Sequence, residues 1–271
     1  MVFDILLCFM IATSYVVFIY FHIPHHLQNK DRNDIQVITF RFYRITLLCV
    51  LLSISIPFFN HVSYITWIKS LNIIPGFTSN DTSVIQDLIN ISYSVISILV
   101  LFIGPILVNL FLVNEQEISI IPNFDRLYQD FLNTFMNIYG VRDYIFAPIT
   151  EEFIFRGIIL TLSPKSFINY TPWLFGIAHI HHGYHLYKQE KYQLKEIILT
   201  VALQLTYTTL FGYISNSIWF KYHNLWGNIL VHTICNVMGL PELVVHQTRV
   251  VNLVYYSLLI GGAYHFITIL F

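Results

Sequence analysis

Three short stretches hold side chains that an apolar chain has no packing reason to carry. Glu151 and Glu152 precede Arg156 in Glu151-Glu152-Phe153-Ile154-Phe155-Arg156. His179 closes Phe175-Gly176-Ile177-Ala178-His179, and His181, His182 and His185 follow it. His232 and Asn236 lie four apart and share one face of any helix that contains them. A carboxylate and an imidazole can hold and deprotonate a water, while a second imidazole and an amide can donate hydrogen bonds to the oxyanion formed when that water attacks an amide carbonyl.

Each group also has a plainer role. Glu152 and Arg156, four apart on a helix, can form an ion pair that ties two helices together. Glu151 is rotated about 100 degrees from Glu152 and lacks that local partner, which frees it for proton transfer. His232 and Asn236 can serve as helix–helix hydrogen bonds, and Asn228 extends their stripe. His181, His182 and His185 crowd the end of a helix and read as interfacial. The same carboxylate and two histidines also resemble a thermolysin-type zinc site, although no His-Glu-x-x-His is present. Serine and cysteine nucleophile motifs such as G-x-S-x-G are missing too.

The composition states what kind of scaffold must position these groups. Charged residues make up 11% of the 271 positions and hydrophobic ones 56%, where a soluble domain carries about 25% charged residues. So few charges cannot cover a water-facing surface. With 11 glycines, 9 prolines and high apolar content, collagen and disorder are excluded. A net charge of -1 makes no electrostatic case for nucleic acid. Cys8, Cys49 and Cys235 lie in apolar stretches without a pairing pattern and read as buried thiols. The chain is an integral membrane protein whose partner is the lipid bilayer.

Windows free of Asp, Glu, Lys and Arg at 5–29, 45–68, 88–114, 197–220 and 250–271 each suit a membrane helix. Windows 166–187 and 222–241 and the motif-bearing 144–163 bring the expectation to about eight spans. The first window has Asp4 in place of a basic flank and reads as a retained helix. Within 115–143, Phe124, Leu127, Phe131 and Phe135 recur at helical spacing and predict an interfacial amphipathic helix. The fold class is therefore all-α and polytopic, with 1–271 a single domain and 145–245 its motif-bearing core.

Eight spans put loops 30–44, 115–143, 188–196 and 242–249 on one side. These hold ten Lys and Arg, against Lys69, Lys165 and Lys221 opposite, which assigns the first side to the cytosol and both termini to the lumen. The sequon Asn80-Asp81-Thr82 then lies in a lumenal loop. Counting from Asp143, Lys188 and Glu242, residues Glu151, His179, His232 and Asn236 all fall roughly 9–15 Å below the cytosolic boundary. A shared depth predicts a water-containing cavity open to the cytosol.

In this order the motifs resemble the type II CAAX prenyl endopeptidases, the Ras-converting enzyme family, whose pattern is Glu-Glu-x-x-x-Arg, Phe-x-x-x-His and His-x-x-x-Asn. Ala147-Pro148-Ile149-Thr150, His179-Ile180-His181-His182 and Asn236-Val237-Met238-Gly239 before Pro241 resemble its eukaryotic branch. The specific similarity covers about 145–245. The resemblance implies an endoplasmic reticulum membrane enzyme that cuts after the prenylated cysteine of farnesylated or geranylgeranylated CAAX proteins, Ras-like small GTPases among them, and releases the last three residues. It implies a glutamate-type mechanism with no metal and no cofactor. Glu151 and His179 would then be proton donor/acceptors, His232 and Asn236 transition-state stabilisers, and Glu152 and Arg156 structural supports. A zinc-dependent membrane protease, or a non-catalytic transporter or scaffold of the same superfamily, are the alternatives. A transporter often shows repeated halves, and the sequence has no visible repeat.

Overall fold

The computed structural model describes residues 2–114, 117–118, 124–188, 191–241 and 248–270. Five helices are long and apolar enough to cross a membrane: α1 (Val2–Tyr20), α2 (Ile35–Phe59), α4 (Val84–Leu101), α10 (Leu194–Tyr222) and α12 (Arg249–Leu270). Between them lie α3 (Tyr64–Ser70), α5 (Ile103–Phe111), α6 (Phe124–Phe135), α7 (138–160), α8 (Thr171–Ala178), α9 (His181–Lys188) and α11 (Leu225–Met238). The all-α reading holds, apart from a minimal antiparallel ribbon of Leu112–Asn114 with Glu117–Ile118. Glu115 and Glu242, used to bound the predicted loops, lie outside the described residues, as does the side chain of His185.

Three of the predicted spans take an unexpected form. Most of the window 144–163 falls within α7, which is continuous but wound as π-helix over Val141–Phe146 and again over Phe153–Leu160. The window 222–241 is helical over only 14 residues, as α11. The window 166–187 is not one helix: α8 ends at Ala178, a turn follows, and α9 starts at His181. The predicted amphipathic helix is present as α6, and it leaves Phe124 and Phe131 exposed on its apolar side.

Side-chain caps fix several helix starts. Asp34 accepts from the Gln36 amide at the head of α2, and Asn224 from the Trp226 amide at the head of α11. A reciprocal box of Gln193 and Glu196 opens α10. Apolar side chains of α1, α2, α10 and α12, such as Leu6, Ile54, Leu203 and Ile260, remain exposed, as lipid-facing residues do. Lipid is as apolar as the helices, so packing and close approach must hold them together. Gly176 of α8 meets Thr209 of α10 so closely that a Cβ would collide with the Thr209 hydroxyl, and a Cβ on Gly212 would reach Pro172 at 3.0 Å. These glycines draw α8 against α10. Opposite them, Tyr15 and Ile11 of α1, Ile45 and Leu48 of α2, and Ile154 and Phe155 of α7 form one buried cluster with Phe175. The three motifs thus lie where α7, α8 and α11 meet α1 and α10.

Candidate active site

Proline chemistry sets how α7 and α11 dock. Pro148 has no N–H to return to the Tyr144 carbonyl. The Ala147 N–H, meanwhile, bonds Arg142 five residues back instead of Asp143. Two successive carbonyls, Asp143 and Tyr144, are therefore left for outside donors. The Thr233 hydroxyl donates to the Tyr144 carbonyl at 2.8 Å, and the Asn236 amide to the Asp143 carbonyl at 2.9 Å. Backbone groups freed in a membrane helix need such partners. The pair also fixes the register in which α11 presents His232 to α7.

More than two turns farther along α7, Glu152 is fully buried and bonded by polar groups. Its Oε1 lies 3.1 Å from Arg156 Nη1 and 2.8 Å from His232 Nδ1, and the Ser215 hydroxyl donates to Oε2 at 2.9 Å. Arg156 sits over the faces of Phe175 and Phe211 at 4.6 and 5.6 Å. Asn228, also fully buried, donates to the Ser215 carbonyl and hydroxyl at 2.6 and 2.7 Å. The expected Glu152–Arg156 pair is present, therefore, within a network that joins α7, α10 and α11. Ser215 was not singled out in the sequence, because a serine in an apolar helix gives no signal of its own.

Glu151, on the neighbouring face, meets a different set. Its Oε2 is 3.6 Å from His179 Nε2 and 3.9 Å from His232 Nε2. Those gaps exceed a direct hydrogen bond, and a water beside them could contact both groups. The other oxygen accepts from the buried Tyr15 hydroxyl at 3.3 Å. Tyr15 is 136 positions away in sequence, and nothing in α1 marks it as special.

The second nitrogen of each imidazole settles its tautomer. His179 Nδ1 lies 2.7 Å from the Phe175 carbonyl, which can only accept, so Nδ1 carries hydrogen. This bond also caps the end of α8. His232 Nδ1 faces the Glu152 carboxylate and likewise carries hydrogen. In the neutral rings both Nε2 atoms then present lone pairs towards Glu151, and either can take a proton. His232 can donate from Nε2 only as imidazolium.

Glu151, His179 and His232 thus converge, whereas Asn236 stands apart. Its bond to Asp143 puts it two helical turns from Glu151 along α7, not in the same layer, and it is exposed. The equal-depth estimate assumed unbroken helices, and α8 breaks at His179. Asn236 retains a second N–H beyond the one used on Asp143. Among the described residues, no group of three or more His, Cys, Asp or Glu has the arrangement of a metal site, the Glu151, His179 and His232 set included.

A cavity of about 140 Å³ opens beside Glu151 and His179. Tyr15, Ile45 and Ala178 line it, as do Arg32, Arg41, Arg142, His181 and His182. All three cysteines are free thiols, Cys8 buried and the others half-buried.

Comparison with known proteins agrees with the motif order. A family model described as type II CAAX prenyl endopeptidase Rce1-like matches residues 133–238. The chain is 30% identical to CAAX prenyl protease 2 of Saccharomyces cerevisiae over 85% of this chain and 78% of that protein. It is 30% identical to the probable CAAX prenyl protease 2 of Schizosaccharomyces pombe over 95% of this chain and 89% of the relative. Human CAAX prenyl protease 2 is 33% identical over 37% of this chain and 32% of its own length. No solved structure matches.

Proposed function

The chain belongs to the type II CAAX prenyl endopeptidase family, and we propose that Glu151, His179 and His232 carry out its hydrolysis of prenylated CAAX proteins. It is a multi-pass membrane protease that acts at the C terminus of such substrates. The observation behind the residue assignment is the convergence of His179 Nε2 and His232 Nε2 on one oxygen of Glu151.

In this reading a water sits between Glu151 Oε2 and His179 Nε2 and gives its proton to that pair. The hydroxide so formed adds to the carbonyl carbon that follows the prenylated cysteine. The carbonyl π electrons move onto oxygen, where His232 as imidazolium donates from Nε2 and the free N–H of Asn236 assists. When the tetrahedral adduct collapses, the C–N bond breaks and the proton held by Glu151 and His179 passes to the leaving amine. The products are a prenylcysteine carboxylate and a tripeptide. Glu152 and Arg156 hold His232 in place and touch no substrate.

The whole chain acts as one domain, with the core over 145–245. In this reading the excess of basic loop residues favours a cavity mouth in the cytosol, and the protein resides in the endoplasmic reticulum membrane, where newly prenylated proteins, Ras-like small GTPases included, would meet it. Reconstituted protein incubated with a farnesylated CAAX peptide should release the intact C-terminal tripeptide, as read by mass spectrometry. Cleavage at another bond, or none, would count against the assignment.

A further inference from the structure

The cavity wall carries more positive charge than its own carboxylates neutralise. Arg142 is satisfied: Asp143 takes its Nε and Nη2 at 2.7 and 2.9 Å, and Asn33 accepts from Nη1 at 2.8 Å. Glu151 is engaged by the two histidines. Arg32 and Arg41 remain. Among the described residues, neither makes a side-chain hydrogen bond or ion pair, and the Nε of Arg41 is buried without a partner. Arg41 rests its guanidinium over the Tyr20 ring at 5.3 Å, which holds the planar group in place but leaves its N–H donors unused. Arg32 and Arg142 lie near enough to repel it, and Tyr20 and Asp31 offset part of that repulsion. Such a cluster, pre-positioned on a half-buried wall, is an anion site in want of its anion.

The spacing says which anion. Arg142 and Asp143 stand nine and eight residues from Glu151 along α7, roughly 12–14 Å at 1.5 Å per residue. Three extended residues span about 10 Å. A peptide whose scissile carbonyl lies at Glu151 would therefore bring the end of a three-residue tail to the level of the arginines. We propose that Arg41, aided by Arg32, binds the free α-carboxylate at the end of the substrate's tripeptide tail. Resting on the hydrolytic reading above, this makes the enzyme a ruler: a fork-shaped donor reads the chain terminus, and the distance back to Glu151 sets which bond is cut. Tails with a blocked or displaced carboxylate would leave the guanidinium buried and unpaired.

Two farnesylated peptides that differ only in a C-terminal carboxylate or carboxamide test this. Affinity is measured on detergent-solubilised Glu151→Gln protein, which reads the subsite without catalysis. The carboxylate peptide should bind about ten- to a hundredfold more tightly, as one to two charge-assisted hydrogen bonds allow. Arg41→Gln added to that background should bring both peptides to the weaker affinity, while Arg41→Lys should keep part of the preference. Equal affinity for the two peptides would overturn the subsite, whatever the cleavage assay gives. Clear discrimination in binding without cleavage of either peptide by the unmodified protein would instead uphold the subsite and overturn the hydrolytic reading.

Discussion

His232 Nδ1 lies 2.8 Å from Oε1 of Glu152, a carboxylate with no exposure to solvent. That bond holds the ring with Nε2 towards Glu151, and in the proposed mechanism it gives Glu152 the part of an anchor and not of a reactant. Adjacent glutamates thereby divide the work. One belongs to a closed polar network, and the other lines the cavity.

Substitution should separate the two roles. Glu151→Gln should abolish tripeptide release, with turnover down at least about a hundredfold, while expression and thermal stability stay near those of the parent. Glu152→Ala should lower stability by about 3–5 kcal/mol, because Arg156 is then buried without its counter-charge. Size-exclusion profiles and melting curves in detergent, read beside activity, check both. A stable, active Glu152→Ala protein would refute the network as the anchor.

Tyr15→Phe removes only the hydroxyl that Glu151 accepts from at 3.3 Å. The ring still packs edge-on against Phe155, so folding should be unaffected. Turnover should fall about three- to tenfold, the weight of one long hydrogen bond to a charged group, with KM little changed. Steady-state kinetics on a farnesylated peptide give both constants.

Asn236 offers two readings that Thr233 helps to separate. Both side chains satisfy carbonyls left over by Pro148, so Thr233→Val should lower stability by about 1–2 kcal/mol and turnover only modestly. If Asn236 does no more than this, Asn236→Ala should match it. An oxyanion donor predicts a further loss of about a hundredfold in turnover. Asn236→Asp should be worse still, since a carboxylate repels the developing oxyanion. Melting curves and turnover for the three variants decide.

A metal-free mechanism predicts no stoichiometric zinc in purified protein and unchanged turnover after prolonged chelation. Elemental analysis of the active preparation, with an assay before and after chelator, is the measurement. About one bound zinc, with activity lost on removal and regained on return, would establish a metalloprotease.

Gly176→Val should prevent α8 from seating on α10, because the added carbons would occupy the place of the Thr209 hydroxyl. The protein should misassemble rather than merely slow, and a Thr209→Ala partner substitution should recover part of the folded yield.

The sequence by itself determined the membrane fold class, the five long spans and the Glu152–Arg156 pair. Each is a matter of composition or of spacing within one helix, where 3.6-residue geometry allows few alternatives. It also carried the three motifs in an order that matched a family. It could not locate Tyr15 or Ser215, whose types are unremarkable and whose partners lie 136 and 63 positions away. Nor could it reveal that Asn236 bonds the α7 backbone, since that depends on where π-helical winding and Pro148 leave carbonyls unpaired. Depth counted along ideal helices misplaced Asn236 for the same reason, and the break at His179 was hidden because helix ends depend on local capping geometry, here the bond from the His179 ring to the Phe175 carbonyl four residues back. The surplus charge at the cavity became legible only once α1, α2 and α7 had brought Tyr20, Arg41 and Arg142 to one wall, because unpaired charge is a property of neighbours in space and not of residues in a row.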